Sequence, residues 1–181
     1  MRIGKWIAVA VAVAISVGEA VCAGAQTAGS NPVTIPPFSL SLSAKQAQNK
    51  IGESIQLVVS VKNTSENIIY DNVTYSKLGL VRYEFFMTVL DGNGNSPAMT
   101  KYYRHQIGQW LPGEQEKDVN DVGGRIDYVP LQPGESVVRD VDVAKFYNIE
   151  LPGKYQIWVE KIDEKSQIRV KSNKITITVT P

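Results

Sequence analysis

The sequence predicts an all-β chain folded as an antiparallel sandwich of about eight strands, with a small β-barrel as the alternative. Three observations carry that expectation. Phe38-Ser39-Leu40-Ser41-Leu42-Ser43 alternates apolar residues with serine without a break. Ile175, Ile177 and Val179 alternate with Thr176, Thr178 and Thr180, and Tyr155, Ile157 and Val159 alternate with Gln156, Trp158 and Glu160. A repeat of two residues belongs to a strand with one face buried. Finally, clusters of Gly, Pro, Asn, Asp and Ser separate the runs, and no long helical period follows residue 25.

Met1–Ala25 reads as a secretory signal. Arg2 and Lys5 supply the positive start, Trp6 to Val17 an apolar run too short to span a bilayer, and Ala23-Gly24-Ala25 a cleavage site. Export to the periplasm or beyond is therefore expected, with no transmembrane segment once the signal is removed. Cys22 is the only cysteine and would leave with the signal. The residues before it, Glu19-Ala20-Val21, depart from the small-residue pattern of a lipidation site. A mature domain without cysteine has to be held by its core alone, and a chain of 181 residues has enough length left for that. Losing Arg2, Lys5 and Glu19 leaves equal numbers of acidic and basic residues. A balanced chain argues against nucleic acid and anionic membrane as general partners, since both select a basic excess.

Gln26–Pro37 is a linker, small, polar and proline-rich, and the domain is expected over 38–181. After the first strand, Lys45 to Gly52 is a polar connection. Ser54 to Lys62 is the second strand, with Ile55, Leu57, Val59 and Val61 on its core face. Asn63-Thr64-Ser65-Glu66-Asn67 is a turn cluster, and Ile68 to Tyr75 the third strand. Leu80 to Leu90 is the longest run, with Val81, Tyr83, Phe85, Met87 and Val89 sharing a face. Asp91-Gly92-Asn93-Gly94-Asn95 has the composition of a hairpin turn, with Ala98 to His105 as the return strand. Gln106 to Asp127 has no sustained period and reads as a long loop, the kind that in compact domains carries function or mobility. Ser136 to Val143 is a strand, Asp142 to Tyr147 a single helical turn, and Leu151-Pro152-Gly153 turns into the closing hairpin, whose polar tip is Ile162 to Asn173.

Two motifs add a resemblance. Gly153-Lys154-Tyr155-Gln156-Ile157 is similar to the tyrosine corner of immunoglobulin-like and fibronectin-III-like domains, where a Tyr hydroxyl bonds back to upstream backbone. Leu131-Gln132-Pro133-Gly134-Glu135-Ser136 followed by Leu151-Pro152-Gly153-Lys154-Tyr155 resembles a group of uncharacterised bacterial secreted Ig-like proteins. It also resembles, more weakly, the intracellular proteinase-inhibitor family of bacilli. What the resemblance implies is an Ig-like sandwich; no inhibitory residue carries over, because no matching reactive loop is present. The third strand lacks the tryptophan of the antibody type.

No catalytic residue, metal ligand or cofactor is expected. His105 is the sole histidine, without metal-ligand spacing around it. Asp91 to Asn95 begins like a calcium loop, but Ser96 and Tyr102 stand where its glycine and bidentate glutamate belong. Glu114, Glu116, Asp118, Asp121 and Asp127 read as a charged loop rather than as glycosidase carboxylates. The richest cluster is Lys101-Tyr102-Tyr103-Arg104-His105-Gln106 with Trp110, because aromatic and arginine side chains anchor binding sites. Tyr102, Tyr103, Arg104 and Trp110 are the candidate binding residues there, and Trp158, flanked by polar strand neighbours, is a fifth. The expected function is an exported, non-enzymatic binding module for a protein or a surface glycan. A proteinase-inhibitor-like role and assembly through a sheet edge are the alternatives.

Overall fold

The computed structural model describes residues 35–76, 81–82, 85–114, 124–163 and 165–181. The expected signal, nearly all of the linker, and Tyr83, Glu116, Asp118 and Asp121 lie outside the described residues. The chain is mostly β, in several sheets, one of them curled.

β1 (Phe38–Ala44), β3 (Gln56–Asn63) and β9 (Ser136–Asp142) form one antiparallel sheet, with β3 in the middle. The alternation seen in the sequence holds: Phe38, Leu40 and Leu42, and Ile55, Leu57, Val59 and Val61, are buried. A second sheet is built on β11 (Gly153–Ile162). It pairs on Val179 to Ile175 of β13 (Ile175–Thr180), on β12 (Arg169–Lys171), and on β6 (Phe86–Leu90). A short β2 (Gln48–Lys50), inside the expected polar connection, adds in parallel to β13. β1 packs on β11, β12 and β13, and the two sheets share one buried cluster that includes Met87, Val89, Val141, Ile157 and Ile177.

Asn173 ties the sheets together. Its side-chain amide accepts from Leu42 N at 2.8 Å and donates to Leu42 O at 2.9 Å, as a neighbouring strand's backbone would. β12 and β13 are parted by Ser172, whose hydroxyl accepts from Val159 N at 3.0 Å. The polar tip therefore does extend the hairpin, through β12.

β4 (Ile69–Ser76) pairs with β8 (Gly124–Leu131) from Ile69↔Leu131 to Ser76↔Gly124, and with β5 (Val81–Arg82). β4 follows β3, and β8 precedes β9. The β3–β9 ladder thus turns a corner and continues as the β4–β8 ribbon. Asn63, fully buried, organises that corner. Its Nδ2 donates to Asn67 O and Leu131 O at 2.7 and 2.9 Å, and its Oδ1 accepts from Ser65 N and Oγ at 2.9 and 2.8 Å. In the turn between β8 and β9, Gly134 N donates to Asn63 O from φ +81°, a backbone conformation that glycine adopts without Cβ strain.

Four expectations need correction. Asp91–Asn95 is a turn, with Asp91 Oδ1 accepting from Asn93 N and Asn95 N at 2.8 Å. It does not close a hairpin, because the next strand, β7 (Ala98–Met99), pairs with β10 (Tyr147–Asn148). The return strand expected over Ala98–His105 is mostly helix: Thr100 caps α1 (Lys101–Gln106), its Oγ1 accepting from Tyr103 N at 3.1 Å. The long Leu80–Leu90 strand is described as the separate pieces β5 and β6, and the expected Gln106–Asp127 loop ends early, where β8 begins at Gly124. The single helical turn after β9 is present as a 3-10 turn, Val143–Lys145.

Candidate functional site

α1 is fixed by what it covers. Tyr103 points into the core, edge-on to Phe146 and Tyr147 at 5.0 and 5.5 Å between ring centroids. Its hydroxyl donates to Met87 O and accepts from Met87 N, both at 2.8 Å, and the Tyr147 hydroxyl donates to the same Met87 O. Among the described residues β6 pairs only with β11, and its outward N–H and C=O at Met87 are closed by this phenol rather than left to recruit another strand. Burial pushes the Tyr103 hydroxyl far above its ordinary pKa, and the Tyr147 hydroxyl up as well. Tyr103 is therefore a packing and edge-capping residue.

The outer side of α1 is held by one carboxylate. Glu114 Oε1 and Oε2 accept from Arg104 at 3.0 and 2.9 Å, a bidentate pair, and Oε2 also accepts from Leu111 N at 2.9 Å. His105 Nε2 lies 2.9 Å from the same oxygen, so that nitrogen carries the proton. Arg104 first, then the Leu111 amide and His105, hold the Glu114 carboxyl well below the usual carboxylate range. The His105 ring stacks on Trp110 at 4.1 Å with an interplanar angle of 18°. Arg104, His105, Trp110 and Glu114 therefore come together as a closed knot, with Trp110 exposed on its outside and Tyr102 half-buried beside it. Trp158 lies elsewhere, on the second sheet and 9% exposed, under Lys171 and Lys174, whose ammonium groups sit 4.3 and 4.8 Å from its ring centroid. The five candidate residues do not form one site.

A groove of about 950 Å³ opens instead between the β4–β8 ribbon, the start of β6, the end of α1 and the end of β11. Its lining is mixed: Phe38, Val61 and Phe85 are buried apolar residues, Ile68, Tyr70 and Tyr128 are exposed ones, and Asp71, Lys161, Asp163 and Lys165 add charge. Gln106 and Ile107 bring α1 to its border. The rim is open to solvent, with Tyr70 64% and Tyr128 61% exposed. They share a face of the ribbon, since Tyr70 pairs with Pro130 and Asn72 with Tyr128, which makes the two tyrosines diagonal neighbours.

The opposite face of β4 carries the buried charge. Asp71, its side chain 1% exposed, is paired through Oδ2 with Arg139 of β9 and through Oδ1 with Lys161 of β11 at 2.8 Å. Lys161 also stands 5.7 Å over the Phe85 ring. One carboxylate thereby fastens the ribbon to both sheets. Sequence reading missed this groove. Its signal was Ile68-Ile69-Tyr70-Asp71, a strand with large apolar residues at both parities and a carboxylate on the inward one. Among the described residues no group of three or more His, Cys, Asp or Glu side chains is placed to hold a metal ion, and no helix is long and apolar enough to cross a membrane.

No family model matches the chain, and no curated protein does. Among solved structures it overlaps a β-glucosidase from Erythrobacter marinus at 15% identity and a TM-score of 0.38, over 79% of this chain and 16% of that one. It overlaps a β-glucosidase from Listeria innocua in complex with isofagomine at 14% identity and a TM-score of 0.39, over 78% and 16%. AvmM, which catalyses macrocyclization in alchivemycin A biosynthesis, overlaps at 15% identity and a TM-score of 0.34, over 80% and 89%. The chain spans about a sixth of the length of the β-glucosidases it matches.

Proposed function

We propose that this chain is an exported, non-enzymatic, Ig-like binding module, and that its ligand is a protein segment with large apolar side chains held in the groove. The observation that carries this is the groove itself: about 950 Å³, partly apolar, with the exposed rings of Tyr70 and Tyr128 on its border. Exposed aromatics beside a preformed apolar recess are what protein interfaces use as anchors. Asp71, Arg139 and Lys161 are engaged with one another, which suits a rigid frame better than proton transfer. Export follows from the Met1–Ala25 signal. The Ig-like assignment is supported by Tyr155, whose hydroxyl donates to Leu151 O at 2.7 Å, the back-bond expected of a tyrosine corner.

The test is peptide selection. A random-peptide display library is panned on the whole chain, and the selected peptides are measured against Tyr70→Ala/Tyr128→Ala and against Trp110→Ala. The expected result is peptides carrying aromatic or branched apolar residues that lose at least tenfold in affinity on the tyrosine variant and bind the Trp110 variant unchanged. Equal binding to the tyrosine variant overturns the groove reading, and loss on Trp110→Ala alone moves the site to α1.

A further inference from the structure

The outward face of the β11 sheet is built differently from the groove. Its residues follow from the ladder: Lys154, Gln156, Trp158 and Glu160 of β11 face out, with Phe86 and Thr88 beside them on β6 and Lys171, Thr176 and Thr178 on the other side. At its centre Trp158 holds two cations on one ring, Lys171 at 4.3 Å and Lys174 at 4.8 Å. Arg169 lies 5.1 Å over the Phe86 ring. Among the described residues one carboxylate, Glu160, answers them: it accepts from Arg169 at 2.9 Å and from the Trp158 indole at 3.3 Å, and lies 3.5 Å from Lys171.

Like charges gathered on a surface normally splay into water. Here the rings hold them in place, through attraction between each cation and the negative face of the aromatic system. The result is a preorganised excess of positive charge on a chain whose net charge is only +1. Around it the face offers threonine hydroxyls and the Gln156 amide. The large exposed apolar side chains, such as Tyr70, Tyr128, Leu111 and Val138, all lie elsewhere. A surface that is cationic and hydroxyl-bearing, with its aromatic rings lying under cations, does not fit the core of a protein interface. It fits a hydrated polymer bearing repeated anionic groups and hydroxyls.

We infer that the Trp158 face is a second binding surface, for an acidic polysaccharide whose carboxylate or sulfate groups pair with Lys171, Lys174 and Arg169. Replacing both lysines by glutamine removes the charge while keeping a polar side chain at each position. The threonine hydroxyls and Gln156 would meet the sugar hydroxyls between the anionic groups. This surface is independent of the groove and of the protein ligand proposed for it.

Polygalacturonate is the probe, with uncharged dextran and poly-glutamate as comparators, each measured by affinity electrophoresis or surface resonance on the whole chain. Wild-type protein is expected to bind polygalacturonate, to weaken steeply as salt is raised, and to ignore dextran. Lys171→Gln/Lys174→Gln is expected to weaken binding about tenfold and flatten the salt dependence. Lys171→Arg/Lys174→Arg, which keeps the charge, should retain it, and this distinguishes lost contacts from a damaged sheet. Tyr70→Ala/Tyr128→Ala should bind polygalacturonate normally, so failure of the groove reading would not touch this one. Absence of polygalacturonate binding, or equal binding by the glutamine variant, overturns the inference. Poly-glutamate held as tightly as polygalacturonate also overturns it, in favour of an acidic polypeptide partner.

Discussion

Replacing Asp71 by leucine should be among the most damaging single changes in the chain. The carboxylate is 1% exposed and faces two cations, Arg139 and Lys161, that are themselves largely covered. At the 2.8 Å of the lysine pair, an effective dielectric constant of 20 gives an attraction of about 6 kcal/mol before desolvation is subtracted. Desolvation returns much of that, and removing one partner of a buried pair typically costs about 3–5 kcal/mol. Both remaining cations would then repel one another across the vacated site, which places Asp71→Leu toward the upper end. Equilibrium unfolding in urea is the assay. At a slope of about 2 kcal/mol/M the midpoint should fall by about 2 M, with the slope itself unchanged. The matching variant, Asp71→Leu/Arg139→Met/Lys161→Met, replaces the whole charged set with apolar groups and should recover at least half of the loss. A single variant that costs under about 1 kcal/mol, or a triple variant no better than the single, would refute the reasoning.

Asn63→Ala leaves Asn67 O and Leu131 O without their donor and Ser65 without its acceptor, and should cost about 2–4 kcal/mol in chemical denaturation. Tyr103→Phe removes the hydroxyl from Met87 while keeping the ring, and should cost about 1–2 kcal/mol and raise concentration-dependent association, read by light scattering, as the β6 edge is uncovered. Glu114 titrates well below its ordinary value, so its contribution is full above about pH 4.3 and is lost as pH falls from there through the folded pKa. The stability difference between the wild type and Glu114→Gln, read as the urea midpoint, should therefore be full above about pH 4.3 and shrink only in stronger acid.

Strand positions were legible wherever one face is buried, because a period of two leaves a clear mark: β1, β3, β11 and β13 fall where the alternation puts them. What failed was pairing. Asp91–Asn95 has the composition of a hairpin turn, but composition fixes a reversal and not the strand that follows. α1 was hidden by Tyr102 and Tyr103, which favour strands in isolation. The Thr100 cap and Gly108, at φ +77° just past the helix end, were the signals that outweigh them. For the site, the aromatic and arginine residues of α1 were visible, but their roles depend on distant partners: Tyr103 on Met87, Arg104 on Glu114. The groove depends on the corner at Asn63, where one asparagine inside an ordinary turn cluster decides that a ladder bends. No local pattern records that.

The bent ladder has a consequence for how the chain folds. Its pairs run from Ser76↔Gly124 to Gln56↔Asp142, so every rung joins segments far apart along the chain, and β5, β6, β7 and α1 all lie in the span between them. Closing so long a loop is paid in entropy before the first rung returns anything, which makes a slow search the expected rate-limiting event. Once Ser76 and Gly124 meet, each further rung closes a smaller increment and the ladder zips outward to Asn63. There the zipper must change direction. An asparagine that satisfies both strands at once lets pairing cross into β3–β9 with the buried backbone groups of the corner already partnered.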